Sequence, residues 1–126
     1  MRVLIADDQR GVGVTLAALV AECQHEVVEL VGSGFDAIQA YHRLRPDVVL
    51  MDYFMPRLNG ATACRNILSR YPDANVILVS GIVDAEDISN SGAIAVLTKP
   101  VDLAKLKSVL GASLSFHGKA AASQNS

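Results

Sequence analysis

Nowhere in the 126 residues is there a long run of like charge, an apolar stretch of membrane-spanning length, an internal repeat, or a histidine–cysteine group with ligand spacing. Each absence removes a class of protein. A formal net charge of −2 and a pI near 5.8, without any clustered excess of Lys and Arg, exclude the electrostatic footprint of a domain that grips nucleic acid. The opening Met1-Arg2-Val3-Leu4-Ile5-Ala6 is interrupted by Asp7 and Asp8 before the apolar core of a signal peptide could form. A cytoplasmic protein with no membrane partner is therefore expected. The two cysteines, Cys23 and Cys64, each lie in a helix-like stretch among apolar neighbours, where a free thiol behaves as a small hydrophobe. His25, His42 and His117 are scattered and suggest no histidine metal site.

What the chain does have is apolar substance, 51% hydrophobic against 19% charged residues, and enough length to bury one core without disulfides or structural metal. Four short runs are apolar throughout: Val3-Leu4-Ile5-Ala6, Val48-Val49-Leu50-Met51, Val76-Ile77-Leu78-Val79 and Ile94-Ala95-Val96-Leu97. Such runs read as strands buried on both faces, whereas the mixed Glu26-Val27-Val28-Glu29-Leu30-Val31 suits a strand nearer the sheet edge. Between them lie segments with helical spacing, about 10 to 23, 34 to 44 and 60 to 70, a shorter one over roughly 84 to 91, and a fifth from about 102 to 112. Strict alternation of strand and helix predicts an α/β fold: a doubly wound, five-stranded parallel sheet of flavodoxin-like (βα)5 type. Residues 1–112 form the predicted domain, and 113–126, ending Ala120-Ala121-Ala122-Ser123-Gln124-Asn125-Ser126, read as a mobile tail or linker.

In a doubly wound sheet, ligands bind beyond the carboxyl ends of the strands, so the residues that follow each apolar run are where chemistry is expected. They are Asp7 and Asp8 after the first run, Asp52 after the third-placed strand, Ser80 after the fourth, and Lys99-Pro100 after the fifth. These positions are too far apart in sequence to share a helix face; only the folded sheet edge could gather them. Three carboxylates brought together repel one another unless a cation or a bound proton relieves them. Mg²⁺ (or Mn²⁺), which prefers hard oxygen ligands and often joins carboxylates to a phosphate oxygen, is the natural occupant. Asp52 could then attack phosphorus, with Lys99 neutralising the equatorial oxygens and Ser80 donating a hydrogen bond to one of them.

Asp7-Asp8, Met51-Asp52-Tyr53-Phe54-Met55-Pro56-Arg57-Leu58-Asn59-Gly60, Ser80 and Thr98-Lys99-Pro100 together resemble the signature of response-regulator receiver domains, chemotaxis-type receivers included. The resemblance spans residues 1 to about 112. It implies a phosphorylation-controlled signalling switch in which Asp52 accepts a phosphoryl group from a histidine kinase or histidine phosphotransfer protein. Mg²⁺ would be held directly by Asp8 and by Asp52, mainly through water by Asp7, and by the backbone carbonyl of Phe54. Lys99 would pair with the phosphoryl group, and the Lys99–Pro100 bond would be cis. The chain would catalyse its own phosphorylation and dephosphorylation without being a substrate-turnover enzyme. Its output would lie in a downstream protein or in a C-terminal output domain beyond this sequence.

Each residue also has a plainer reading. Asp7 and Asp8 could cap the first helix, Asp52 could be a loop acid, Ser80 a turn hydroxyl and Lys99 a surface cation. Gly11-Val12-Gly13-Val14-Thr15-Leu16 begins like a dinucleotide fingerprint, but Leu16 replaces the third glycine and acids precede it where a pyrophosphate would be repelled. Pro56 and Gly60 read as a turn and a tight helix entry. The chain also departs from the receiver pattern. Val96 stands where the family usually carries the Tyr or Phe of its rotameric switch, and the stretch between Ser80 and Lys99 is about one helical turn short, with Ser89-Asn90-Ser91-Gly92 poor helix material. These departures motivate an alternative, a receiver-like interaction module that works independently of phosphorylation. An aspartyl-phosphate phosphohydrolase would carry its nucleophile after the first strand and is disfavoured by the position of Asp52.

Overall fold

The computed structural model describes residues 1–81 and 85–112. The sequence expectations for Asp84 and for the tail at 113–126 lie outside the described residues. The elements alternate as predicted: β1 (Arg2–Ala6), α1 (Arg10–Glu22), β2 (Glu26–Val31), α2 (Gly34–Leu44), β3 (Val48–Asp52), α3 (Gly60–Arg70), β4 (Val76–Ser80), α4 (Ala85–Ser89) and β5 (Ala95–Thr98). A final helix, α5, covers described residues 103–112. All strands are parallel, in the order β2-β1-β3-β4-β5, so β2 is an edge strand, in keeping with its mixed composition.

Alternation along the strands divides the core into two layers. Leu4, Ala6, Val49, Met51, Val76 and Leu78 face α2 and α3, meeting Ala37, Ala40, Tyr41, Ala61, Cys64 and Ile67. Val3, Ile5, Val48, Leu50, Ile77 and Val79 face the other way, meeting Leu16 and Val20 of α1 and Leu106 and Leu110 of α5. Every residue of β3 and β4 is buried, as their uninterrupted apolar sequences require.

Local chemistry fixes the helix starts. Ser33 Oγ accepts from Asp36 N at 3.0 Å ahead of α2, and Asn59 Oδ1 accepts from Thr62 N at 2.9 Å ahead of α3. Of Gly11 and Gly13 only the second has a packing purpose: a Cβ at Gly13 would come within 2.7 Å of Leu30 Cδ1, so the glycine lets α1 lie close against β2, whereas a Cβ at Gly11 would meet nothing within 4 Å. Several boundaries move by a residue from the sequence expectation, and two of the differences have a visible cause. β5 begins at Ala95, because Ile94 is 43% exposed and only its N–H joins the sheet edge, bonding Val76 O. The described part of α4 ends at Ser89, where Ser91 Oγ turns back onto Ile88 O and Gly92 takes a φ of +83° that ends helical geometry.

Candidate functional site

Strand order reverses direction at β1, whose neighbours are β2 on one side and β3 on the other. The crevice beyond the carboxyl ends of β1 and β3 is the topological switch point of the sheet. Ala6 pairs with Met51 in register, which sets Asp7 beside Asp52 as both strands end. Asp8 follows at the surface. Asp7, Asp8 and Asp52 each offer a carboxylate oxygen, and these oxygens lie within 4.8 Å of one another; this is the metal-capable group found among the described residues.

The two inner acids are nearly dry, with Asp7 3% and Asp52 4% exposed. Asp7 Oδ1 accepts from Gln9 N at 2.8 Å, which organises the turn into α1, but Gln9 itself occupies the N-cap position with no side-chain cap bond. The helix-capping reading of the acidic pair is therefore not what the structure displays. Asp7 Oδ2 is buried and accepts no hydrogen bond among the described residues; the Lys99 ammonium stands 3.8 Å away. A buried carboxylate oxygen left in that condition is costly unless a cation completes it.

Lys99 enters from the end of β5, its Nζ 3.2 Å from Asp52 Oδ1. Its backbone N–H bonds Ser80 O at 3.0 Å, and the Lys99–Pro100 peptide bond is cis. Ser80, 3% exposed, ends β4 one residue past Val79, the register partner of Asp52. Thus the fold brings together the three acids and the Lys99 amine and ends β4 beside them with Ser80. Phe54, two residues after Asp52, is 77% exposed.

The electrostatics of Asp52 follow from this arrangement. Burial first, and then the neighbouring Asp7 charge, push its carboxyl up to about 6 from the ordinary 3.8; the Lys99 ammonium and the Phe54 N–H act in the opposite direction without prevailing. A divalent cation among the three acids would relieve both the Asp7–Asp52 repulsion and the orphaned Asp7 oxygen. The donor set, carboxylate oxygens only, suits a hard ion such as Mg²⁺.

Two supporting features were not apparent from residue order. Gly60, expected to serve helix entry, lies against the acceptor strand itself: a Cβ there would fall 2.3 Å from the Asp52 carbonyl oxygen and 2.9 Å from Tyr53 Cα. Its N–H also bonds Tyr53 O at 2.8 Å, so α3 is seated on the backbone that carries Asp52. The second feature is Tyr53, whose hydroxyl donates to Asp87 Oδ2 at 2.7 Å, tying the acceptor loop to α4. Spacing gave no signal for that pair.

Comparison with known proteins agrees with this geometry. Residues 3–111 match the response regulator receiver domain family. The chain is 38% identical over 107 residues to a protein-glutamate methylesterase/protein-glutamine glutaminase of Geobacter metallireducens, a match covering 79% of this chain and 30% of that protein. It is 35% identical over 81 residues to the chemotaxis protein CheY of Thermotoga maritima, covering 64% of this chain and 68% of CheY. The crystal structure of a response regulator receiver domain protein from Clostridium thermocellum superimposes with a TM-score of 0.86 over 93% of this chain and 96% of that one, at 24% identity. The chain thus spans less than a third of the methylesterase, whose further length has no counterpart here.

Proposed function

The chain belongs to the response regulator receiver domain family of two-component signalling, whose standard function is a phosphorylation-controlled switch, and we propose that Asp52 is its phosphoacceptor. The observation that carries the assignment is the buried Asp52 carboxylate held between Asp7 and the Lys99 ammonium at the switch point of the sheet. With its pKa at about 6, Asp52 is mostly ionised at neutral pH and retains nucleophilic oxygens. In the transfer, an Asp52 oxygen bonds phosphorus as the bond from phosphorus to the donor nitrogen breaks, and the donor imidazole leaves with the bonding pair. Lys99 holds the carboxylate beforehand and meets the phosphoryl oxygens afterwards; Ser80 donates its hydroxyl to one of them.

Asp7, Asp8 and Asp52, with the Phe54 carbonyl, would hold Mg²⁺ or Mn²⁺, which supplies positive charge against the phosphoryl oxygens. Hydrolysis of the acyl phosphate returns the carboxylate, so the chain resets without turning over a separate substrate. The donor is a histidine kinase or histidine phosphotransfer protein, and the reader is a downstream protein or an attached output domain; esterase activity belongs to the longer methylesterase relatives. Among the described residues no helix is long and apolar enough to cross a membrane, which accords with a cytoplasmic switch. Incubation with acetyl phosphate and Mg²⁺ should add one acid-labile phosphoryl group to the native chain and none to Asp52→Asn; equal labelling of both would overturn the assignment.

A further inference from the structure

Five described residues make α4 too short to persist on its own, so what places it is its ties to the rest of the fold. Ile88 packs against the core layer beneath α2 and α3. Both oxygens of Asp87 are also engaged, each on a different element: Oδ2 accepts from Tyr53 Oη at 2.7 Å, and Oδ1 pairs with Arg65 Nη1 of α3 at 3.0 Å. Arg65 is itself steadied by Nη2 donating to Thr62 Oγ1 at 3.1 Å. Asp87 is therefore the point where the acceptor loop, α3 and α4 meet.

The three partners differ in freedom. Tyr53 directly follows Asp52 and its backbone is pinned on both sides, its N–H to Val79 O and its carbonyl to Gly60 N, both at 2.8 Å. Gly60 in turn has no space to yield against that backbone. The backbone that carries the Tyr53 ring thus keeps a fixed position relative to the acceptor. By contrast, α4 is the next described element after Ser80 and Gly81, and the poor helix formers Ser89-Asn90-Ser91-Gly92 end it, with only Ser91 of the four buried. If Ser80 shifts toward a phosphoryl group on Asp52, α4, the element that follows it in the chain, is the one to take up the shift, while the Tyr53 backbone stays. The Asp87 contacts are only partly shielded, with side-chain exposures of 24% for Asp87 and 40% for Arg65, so they can open at modest cost. No ring is available at position 96, where half-buried Val96 has one stiff χ1 and little reach.

We propose that Tyr53, Arg65 and Asp87 form a latch that holds α4 in the resting arrangement and opens when a phosphoryl group on Asp52 draws Ser80 inward. The inference rests on the phosphoacceptor reading of Asp52. The latch competes with the phosphoryl-bound state, so loosening it must strengthen binding of a phosphoryl mimic, by the reciprocity of coupled equilibria. A purely structural tie would behave differently: its loss would lower stability and leave the mimic's affinity unchanged.

The test is a beryllofluoride titration with saturating Mg²⁺, followed by ¹⁹F NMR of the bound species, on the native chain, Tyr53→Phe, Asp87→Asn and the double variant. Tyr53→Phe keeps the ring and removes only the hydroxyl, and Asp87→Asn keeps the side-chain volume, so both are mild. Each single variant should bind the mimic at least about 5-fold more tightly than the native chain. The double variant should gain no more than Asp87→Asn alone, because both substitutions open the same latch. Amides of residues 86–92 should exchange faster in the unliganded variants. Native-like affinity in both single variants, with the native chain binding normally, would overturn the latch alone. Absence of binding by the native chain would instead sink the Asp52 assignment, and the latch with it.

Discussion

Replacing the proposed acceptor should stabilise the metal-free protein, because the Asp52 carboxylate occupies a place that penalises its charge. The pKa is about 6 in the folded chain against an ordinary 3.8, so between those values the folded state keeps a proton that the unfolded state has lost. Stability is therefore unaffected by this group below pH 3.8, falls as pH rises, and has lost its full share above about pH 6. At about 1.4 kcal/mol for each tenfold step in acidity, the loss amounts to about 3 kcal/mol. Asn has nearly the same shape and no charge. It forfeits the 3.2 Å Lys99 contact, but Lys99 is 28% exposed and retains Asp7, so no charge is stranded. Urea denaturation in EDTA, from pH 3.5 to 8, should show Asp52→Asn roughly equal to the native chain at the acid end and about 1–3 kcal/mol more stable at pH 8. A variant no more stable than the native chain at pH 8, or a difference that does not change with pH, would refute the claim that a buried, repelled carboxylate sits there.

Three further outcomes follow from the same contacts. Gly60→Ala should cost about 3 kcal/mol or more of stability in urea denaturation, since the added methyl meets two backbone atoms that cannot rotate away; a loss under about 1 kcal/mol would show that α3 can lift off the acceptor strand freely. Asp8→Ala should weaken Mg²⁺ binding at least about tenfold by calorimetric titration, because the metal loses an oxygen ligand. Addition of Mg²⁺ should raise the thermal midpoint of the native chain and raise that of Asp8→Ala less, through preferential binding to the folded state; equal rises would remove Asp8 from the metal site.

Much of this was readable from residue order for a clear reason. Strands buried on both faces must be continuously apolar, so the runs Val48–Met51 and Val76–Val79 announced themselves, and the residues just after them, Asp52 and Ser80, became candidates by position alone; the strands end on those two residues. The limits of α2 and α3 matched the spacing to the residue because Ser33 and Asn59 cap them, and the poor helix formers after Ser89 foretold a short α4. What residue order left hidden was contact between side chains that no local period connects. Asp7 and Asp8 look alike in sequence, yet one is buried with an oxygen lacking a hydrogen bond and the other is at the surface, a difference set by where β1 stops. Nothing in residue order singled out Asp87; only the fold places Tyr53 and Arg65 on its two oxygens. Gly60 read as a helix entry because the clash it avoids is with a backbone eight residues earlier in the chain, visible only once α3 is seated.

The central claim, that the phosphoryl group is carried by Asp52 itself, is tested most directly by locating it. Native chain treated with acetyl phosphate and Mg²⁺ and then with borohydride, which reduces an aspartyl phosphate to homoserine, should yield on peptide mass spectrometry a homoserine at position 52 and unmodified Asp7 and Asp8. Homoserine at Asp7 or Asp8, or intact aspartate at 52 in a chain that has taken up phosphate, would contradict the account.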